Sequence, residues 1–298
     1  MVSNRKVRRL ARATLVEWQA CDVSLLASAL AYSTVFALAP LMILVIMMLG
    51  AIFGEATARA QIVTQMTDSI GADGAELLAT AITNLRAQTG ESPLQLAMNL
   101  GFFVVGASSI FAQIQQALDR IWEVQPAPGR QIAHFLRKRL LSFTMILAIV
   151  FLLLVAAISN TLLAVIVSTF DRWLPGLGSL WLMLRWLISF NLIIMVFAAM
   201  YTILPDVEIH WRNTLMGATI AALLFIAGQA LFGVFLSMAN IGSGYGVAGS
   251  FLIIITWIFY AAQVLFSGAV FTKVYAQQRG VPIVPSEFAV STSTTNLR

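Results

Sequence analysis

Sixty consecutive residues, Asn213 to Thr272, carry no charge. A helix needs roughly 20 residues to cross the hydrocarbon of a bilayer, so this stretch holds two spans provided that the chain reverses inside it. Asn240-Ile-Gly-Ser-Gly-Tyr-Gly246, with three glycines in five residues, supplies the turn. The spacing predicts spans over 214–238 and 247–272, with Gly244 and Gly246 as the hinge. The rest of the chain matches: 59% of its 298 residues are hydrophobic and 10% charged, and the mean hydropathy is +0.87. A soluble domain carries about 25% charge. The class is a polytopic membrane protein.

Two further uncharged runs, the 32 residues Val23–Gly54 and the 27 between Glu91 and Asp119, give spans over 24–53 and 94–118. The uncharged stretches Leu140–Phe170 and Trp186–Leu204 give spans over 140–170 and 186–204. The expected fold is therefore all-α, a bundle of six transmembrane helices forming a domain over 23–276. Residues 1–22, with Arg5, Lys6, Arg8, Arg9 and Arg12 among Val7, Leu10, Leu15 and Trp18, read as an amphipathic helix lying in the interface. The first span is too long for a signal-peptide core and is expected to be retained. Residues 54–93 read as an external insert of two short amphipathic helices hinged at Gly71–Gly74. Residues 277–298, rich in Pro, Ser and Thr, read as a disordered tail. Of 18 Lys and Arg, 14 fall in the segments that this topology places on one side. By the positive-inside rule that side is the cytoplasm, and both termini lie there.

Several side chains stand out against the apolar spans. Asn99, Gln113 and Arg120 share one helical face with Gln116 close beside them, and Tyr260 and Gln263 lie in a narrow arc with Thr256 and Ser267. An amide facing lipid costs several kcal/mol unless bonded, so each set forms a seam that either lines a path or glues helices. Pro40 removes a backbone bond to the Phe36 carbonyl. A kink is expected there, with the Ser33 and Thr34 hydroxyls near to satisfy freed groups and Tyr32 on the adjoining face. Asp119 and Trp122 end the second span, as a gate contact or as an anchor with Trp122 in the aromatic belt.

Chemistry classes drop out quickly. Cys21 is the only cysteine and His134 and His210 are far apart, which excludes an internal disulfide framework and cysteine-rich metal sites. Asp206, Glu208 and His210 alternate in one short loop, a weak metal pattern. No cofactor motif, Ser–His pairing or clustered nuclease ligand set is present. The net charge of +5 is accounted for by topology, with anionic headgroups rather than nucleic acid as counter-charge.

Four ordered blocks resemble the YihY/BrkB family: Ala29-Leu-Ala-Tyr-Ser-Thr-Val-Phe-Ala-Leu-Ala-Pro-Leu41, Ala117-Leu-Asp-Arg-Ile-Trp-Glu-Val124, Tyr201-Thr-Ile-Leu-Pro205, and Tyr245-Gly-Val-Ala-Gly-Ser with Trp257 and Gly268. Asp119 stands where Asn is expected in many relatives. The resemblance covers Asp22 to about Ala276 and implies a bacterial cytoplasmic-membrane protein with six helices. A ribonuclease label has been attached to members, and the residues reject it. The expectation is a transporter or flippase of an amphipathic lipid or glycolipid, with membrane lipids as partners. A non-transporting envelope scaffold that recruits other envelope proteins is the alternative, linked by the resemblance to surface resistance and virulence.

Overall fold

The computed structural model describes residues 4–70, 75–76, 79–80, 83–84, 93–127, 140, 144–145, 147–148, 151–152, 178–239, 241–286 and 289–292. Its helices are α1 (Asn4–Ala20), α2 (Val23–Phe53), α3 (Glu55–Ile70), α4 (Pro93–Ile121), α5 (Gly178–Ile203), α6 (Trp211–Ala239) and α7 (Ile241–Gln278). Short strands β1 (Val124–Pro126), β2 (Val207–Glu208), β3 (Val284–Pro285) and β4 (Ala289–Ser291) complete the described elements. The bounds of α2, α4 and α6 follow the charge-free runs closely, because bonding every backbone group within the helix is the cheapest solution in hydrocarbon.

α2 packs between α4 and α7, α7 between α2 and α6, and α6 between α7 and α5. The five helices thus succeed one another as α4, α2, α7, α6, α5. At one end, called the base here, α1 docks on α7. Three stretches among the described residues are long and apolar enough to cross a membrane: Trp186–Ile203, Trp211–Phe235 and Phe251–Gln278. A fourth is added if Lys6–Ala20 and Val23–Ala37, bent by 57°, form one broken span. That is three to four of the six expected, and the 140–170 span lies largely outside the described residues. The exposed faces of α5 and α6 show Met183, Trp186, Leu187 and Met195, then Leu223, Leu231, Val234 and Phe235. Such a surface suits acyl chains and not water.

Small residues set the distances between helices. A Cβ on Gly228 would lie 1.9 Å from the Tyr260 ring, and one on Gly268 would lie 2.2 Å from the Tyr201 hydroxyl. The glycines let Tyr260 cross α6 and Tyr201 cross α7. Farther from the base, Phe225, Phe232 and Trp257 form an aromatic run with centroids 5.0 to 5.6 Å apart.

Three expectations are corrected. The glycine segment is helical from Ile241, so Gly244 and Gly246 lie in the first turns of α7 and not in an open hinge. Helix α5 starts at Gly178, eight residues before the span expected over 186–204. The tail is ordered in part: β3 pairs antiparallel with β2, and β4 with β1. The Ser286 N–H donates to the Asp206 carbonyl and the Thr292 N–H to the Glu123 carbonyl, each at 2.9 Å. Polar composition hid the pairing because its bonds are backbone bonds, available to almost any sequence that meets a strand edge.

Candidate functional site

At the base, three elements converge on one ammonium. Lys273, near the end of α7, has a side chain only 4% exposed. Its Nζ donates to Glu17 Oε1 of α1 at 2.6 Å and to Glu123 Oε1 at 2.8 Å. Glu123 follows α4 in the left-handed backbone region, φ 57°. That conformation is uncommon for a residue with a Cβ, and it ends the helix while aiming the carboxylate at Lys273. Asp22 does the same between α1 and α2, with φ 50° and ψ 45°, and its carboxylate lies 3.8 Å from Arg120. Both of those side chains are about 60% exposed, so this second pair contributes little.

The Cys21 thiol donates to Glu17 Oε1 at 3.6 Å. Burial pushes its pKa up and the Glu17 carboxylate adds to that, against an opposing pull from Lys273. One residue from Glu17, Trp18 Nε1 donates to Ser267 Oγ of α7 at 3.0 Å.

Asp119 is buried, and its Oδ1 accepts the Asp206 N–H at 2.9 Å. The end of α4 is thereby tied to the turn after α5. Trp122 is buried too, edge-on to Tyr201 with centroids 6.4 Å apart. It cannot serve in an aromatic belt; exposed Trp186 and Trp211 hold surface positions within α5 and at the start of α6. Tyr201 is fully buried and donates to the Leu265 carbonyl at 2.7 Å.

The two seams have different fates. On α7, Gln263 Nε2 donates to Ser24 Oγ of α2 at 3.2 Å, and the Tyr260 hydroxyl donates to the Leu224 carbonyl of α6 at 2.5 Å. On α4, Gln113 is half-buried and Gln116 and Arg120 are exposed, while the Asn99 side chain lies outside the described residues. No hydrogen bond joins the two seams among the described residues. Gln115, passed over in the helical-face reading, is buried, and its Nε2 has no hydrogen-bond partner among the described residues. Tyr32 is exposed and stacks edge-on against Phe36. Helix α2 continues through position 40, although the Pro40 side chain is outside the described residues. Ser33 donates to the carbonyls of Ala29 and Leu30 and not to that of Phe36.

Sequence reasoning missed Lys273 and Glu17. The signal was present: Lys273 interrupts an apolar run, and Glu17 is the only acid before Asp22.

A family model described as Virulence factor BrkB matches residues 14–288. The chain belongs to the BrkB family. Relatives of this BrkB-family protein include a UPF0761 membrane protein of Vibrio cholerae serotype O1, 27% identical over 68% of this chain and 65% of its own length. Another from Alcanivorax borkumensis is 25% identical over 86% of this chain and 58% of its own length. One from Pseudomonas aeruginosa is 26% identical over 82% and 57%. The chain therefore matches less than two thirds of the length of these relatives. No solved structure matches it.

Proposed function

We propose that this BrkB-family protein is a six-span protein of the bacterial cytoplasmic membrane, with both termini inside, that engages anionic amphiphiles at the inner leaflet and carries them across. Catalysis has no part in the reading. The observation that carries it is the docking of α1. Its one acid, Glu17, is committed to Lys273, while Lys6, Arg8, Arg9 and Arg12 remain exposed beside exposed Leu15 and Val16. A helix held at the bundle end with cations and aliphatic groups outward matches an anionic leaflet in charge and in polarity.

Reconstituted full chain in vesicles, assayed for leaflet exchange of lipids with labelled headgroups, tests the proposal. Anionic lipids should exchange faster than in protein-free vesicles, and the rate should fall when Arg8, Arg9 and Arg12 become Gln. Folded protein that moves none of a broad set of envelope lipids overturns it. A second reading, a non-transporting scaffold, is favoured by one observation: the α7 seam is bonded to neighbouring helices. That same null result would establish the scaffold.

A further inference from the structure

Between α2 and α6 the outer face of α7 is polar. Thr256 is exposed and Tyr260, Gln263 and Ser267 are half-buried, all within one arc. The α2 wall adds exposed Ser24, Ser28 and Tyr32. At the base Trp18 of α1 closes the furrow on Ser267. From Ser267 to Thr256 the arc rises 11 residues, about 16 Å, or half of the hydrocarbon thickness.

Its neighbours show the opposite surface. The outer faces of α5 and α6 present Met, Leu, Val, Phe and Trp. Polar groups left on the outside of a membrane helix cost several kcal/mol each when nothing bonds them. The internal bonds use only part of the furrow's capacity. Gln263 spends one N–H on Ser24, leaving its carbonyl oxygen and second N–H, and the Tyr32 hydroxyl, on a side chain 70% exposed, has no partner among the described residues.

We propose that this furrow is a lipid site that takes the headgroup of an anionic glycerophospholipid, with the acyl chains on the apolar face of α6. Charge complementarity selects the anion. Helix α1, whose Trp18 bonds Ser267 at the furrow's foot, carries exposed Lys6, Arg8, Arg9 and Arg12, and the side chains of Thr256, Tyr260, Gln263 and Ser267 offer N–H and O–H donors but no carboxylate. The inference deepens the transport reading by naming where the headgroup sits, and it is testable at rest.

Full-length protein carrying Ser28→benzoylphenylalanine, or Leu231→benzoylphenylalanine on the outer face of α6, is placed in phosphatidylcholine nanodiscs doped with phosphatidylglycerol and irradiated. Adducts are identified by mass spectrometry. Position 28 should capture phosphatidylglycerol about tenfold above its bulk share, equivalent to 1.4 kcal/mol of preference, while position 231 follows the bulk. Adding Gln263→Leu should bring position 28 to within about twofold of bulk. Thr256→Val, an exposed and nearly isosteric change, should lower the enrichment with the bundle intact by gel filtration. Equal enrichment at both positions overturns the furrow. So does enrichment that survives both furrow variants and disappears only when Arg8, Arg9 and Arg12 become Gln, since selectivity would then belong to α1 alone. Selective capture without leaflet exchange upholds the furrow and refutes transport; exchange without selective capture does the reverse.

Discussion

Helices α4 and α7 carry polar side chains at helical spacing, and both end at the base in a buried charged residue, Asp119 in one and Lys273 in the other. On α7 the polar groups bond across to three different helices: Ser267 to α1, Gln263 to α2 and Tyr260 to α6. On α4, Gln116 is exposed and Ser109 donates back to its own helix, to the Gly106 carbonyl. Position explains the contrast. α7 has a neighbour on each side, whereas α4 ends the row of described helices and packs chiefly on α2. Helical periodicity can show that a face is polar, but what that face meets depends on where the helix stands in the bundle.

The largest effect should come from the charged end of α7. Lys273→Met removes a cation from two carboxylates, and thermal unfolding in detergent should register a loss of about 3 kcal/mol. Glu123 is 61% exposed and will rehydrate, which keeps the figure at the lower end for a broken buried pair. Adding Glu17→Gln should recover part of the loss. Arg120→Met, the counterpart on α4, should cost less than about 0.5 kcal/mol. Equal losses would show that both helix ends are held alike and would break the contrast.

Next comes the approach of α6 to α7. Gly228→Ala places a methyl where the Tyr260 ring lies, and a penalty of about 2 kcal/mol is expected with altered near-ultraviolet dichroism of the Trp257 and Tyr260 group. An unchanged spectrum would mean that Tyr260 does not cross α6. Asp119→Ala strips the acceptor from the buried Asp206 N–H and should cost about 1.5 kcal/mol, with faster hydrogen exchange at that amide, whereas Asp119→Asn should retain most of the bond.

The smallest pair sharpens the comparison most. Gln263→Leu should cost about 1 kcal/mol through the lost bond to Ser24, and Gln116→Leu should fall within about 0.5 kcal/mol of the parent. Matching values, measured by unfolding in the same detergent, would put the two seams back on an equal footing.

Legibility followed the range of the forces involved. The uncharged run Val23–Gly54 became a helix over Val23–Phe53, and the span expected to end at 118 ends at Ile121; a charge-free run marks where backbone bonding must be internal. Glycines at 242, 244 and 246 misled, because glycine permits a turn without requiring one and the helix bears it at a cost of about 1 kcal/mol each. Strands of two and three residues were invisible, since their partners lie 78 and 167 positions away in the paired registers Val207↔Pro285 and Val124↔Ser291. At the candidate site, Asp119, Trp122, Tyr260 and Gln263 were found by residue type. Lys273, one residue past the span expected over 247–272, was passed over.

Taken alone, the order of residues determined that the chain enters a bilayer, where several of its helices begin and end, and which faces are polar, because each of these follows from hydrophobicity and charge along one stretch. Only the tertiary structure decided that α2 packs against both α4 and α7, that Glu17 and Glu123 meet on Lys273, and that the C-terminal strands cross the base. Those outcomes depend on which distant groups can approach within hydrogen-bonding distance, a property of the packed bundle that no single segment contains.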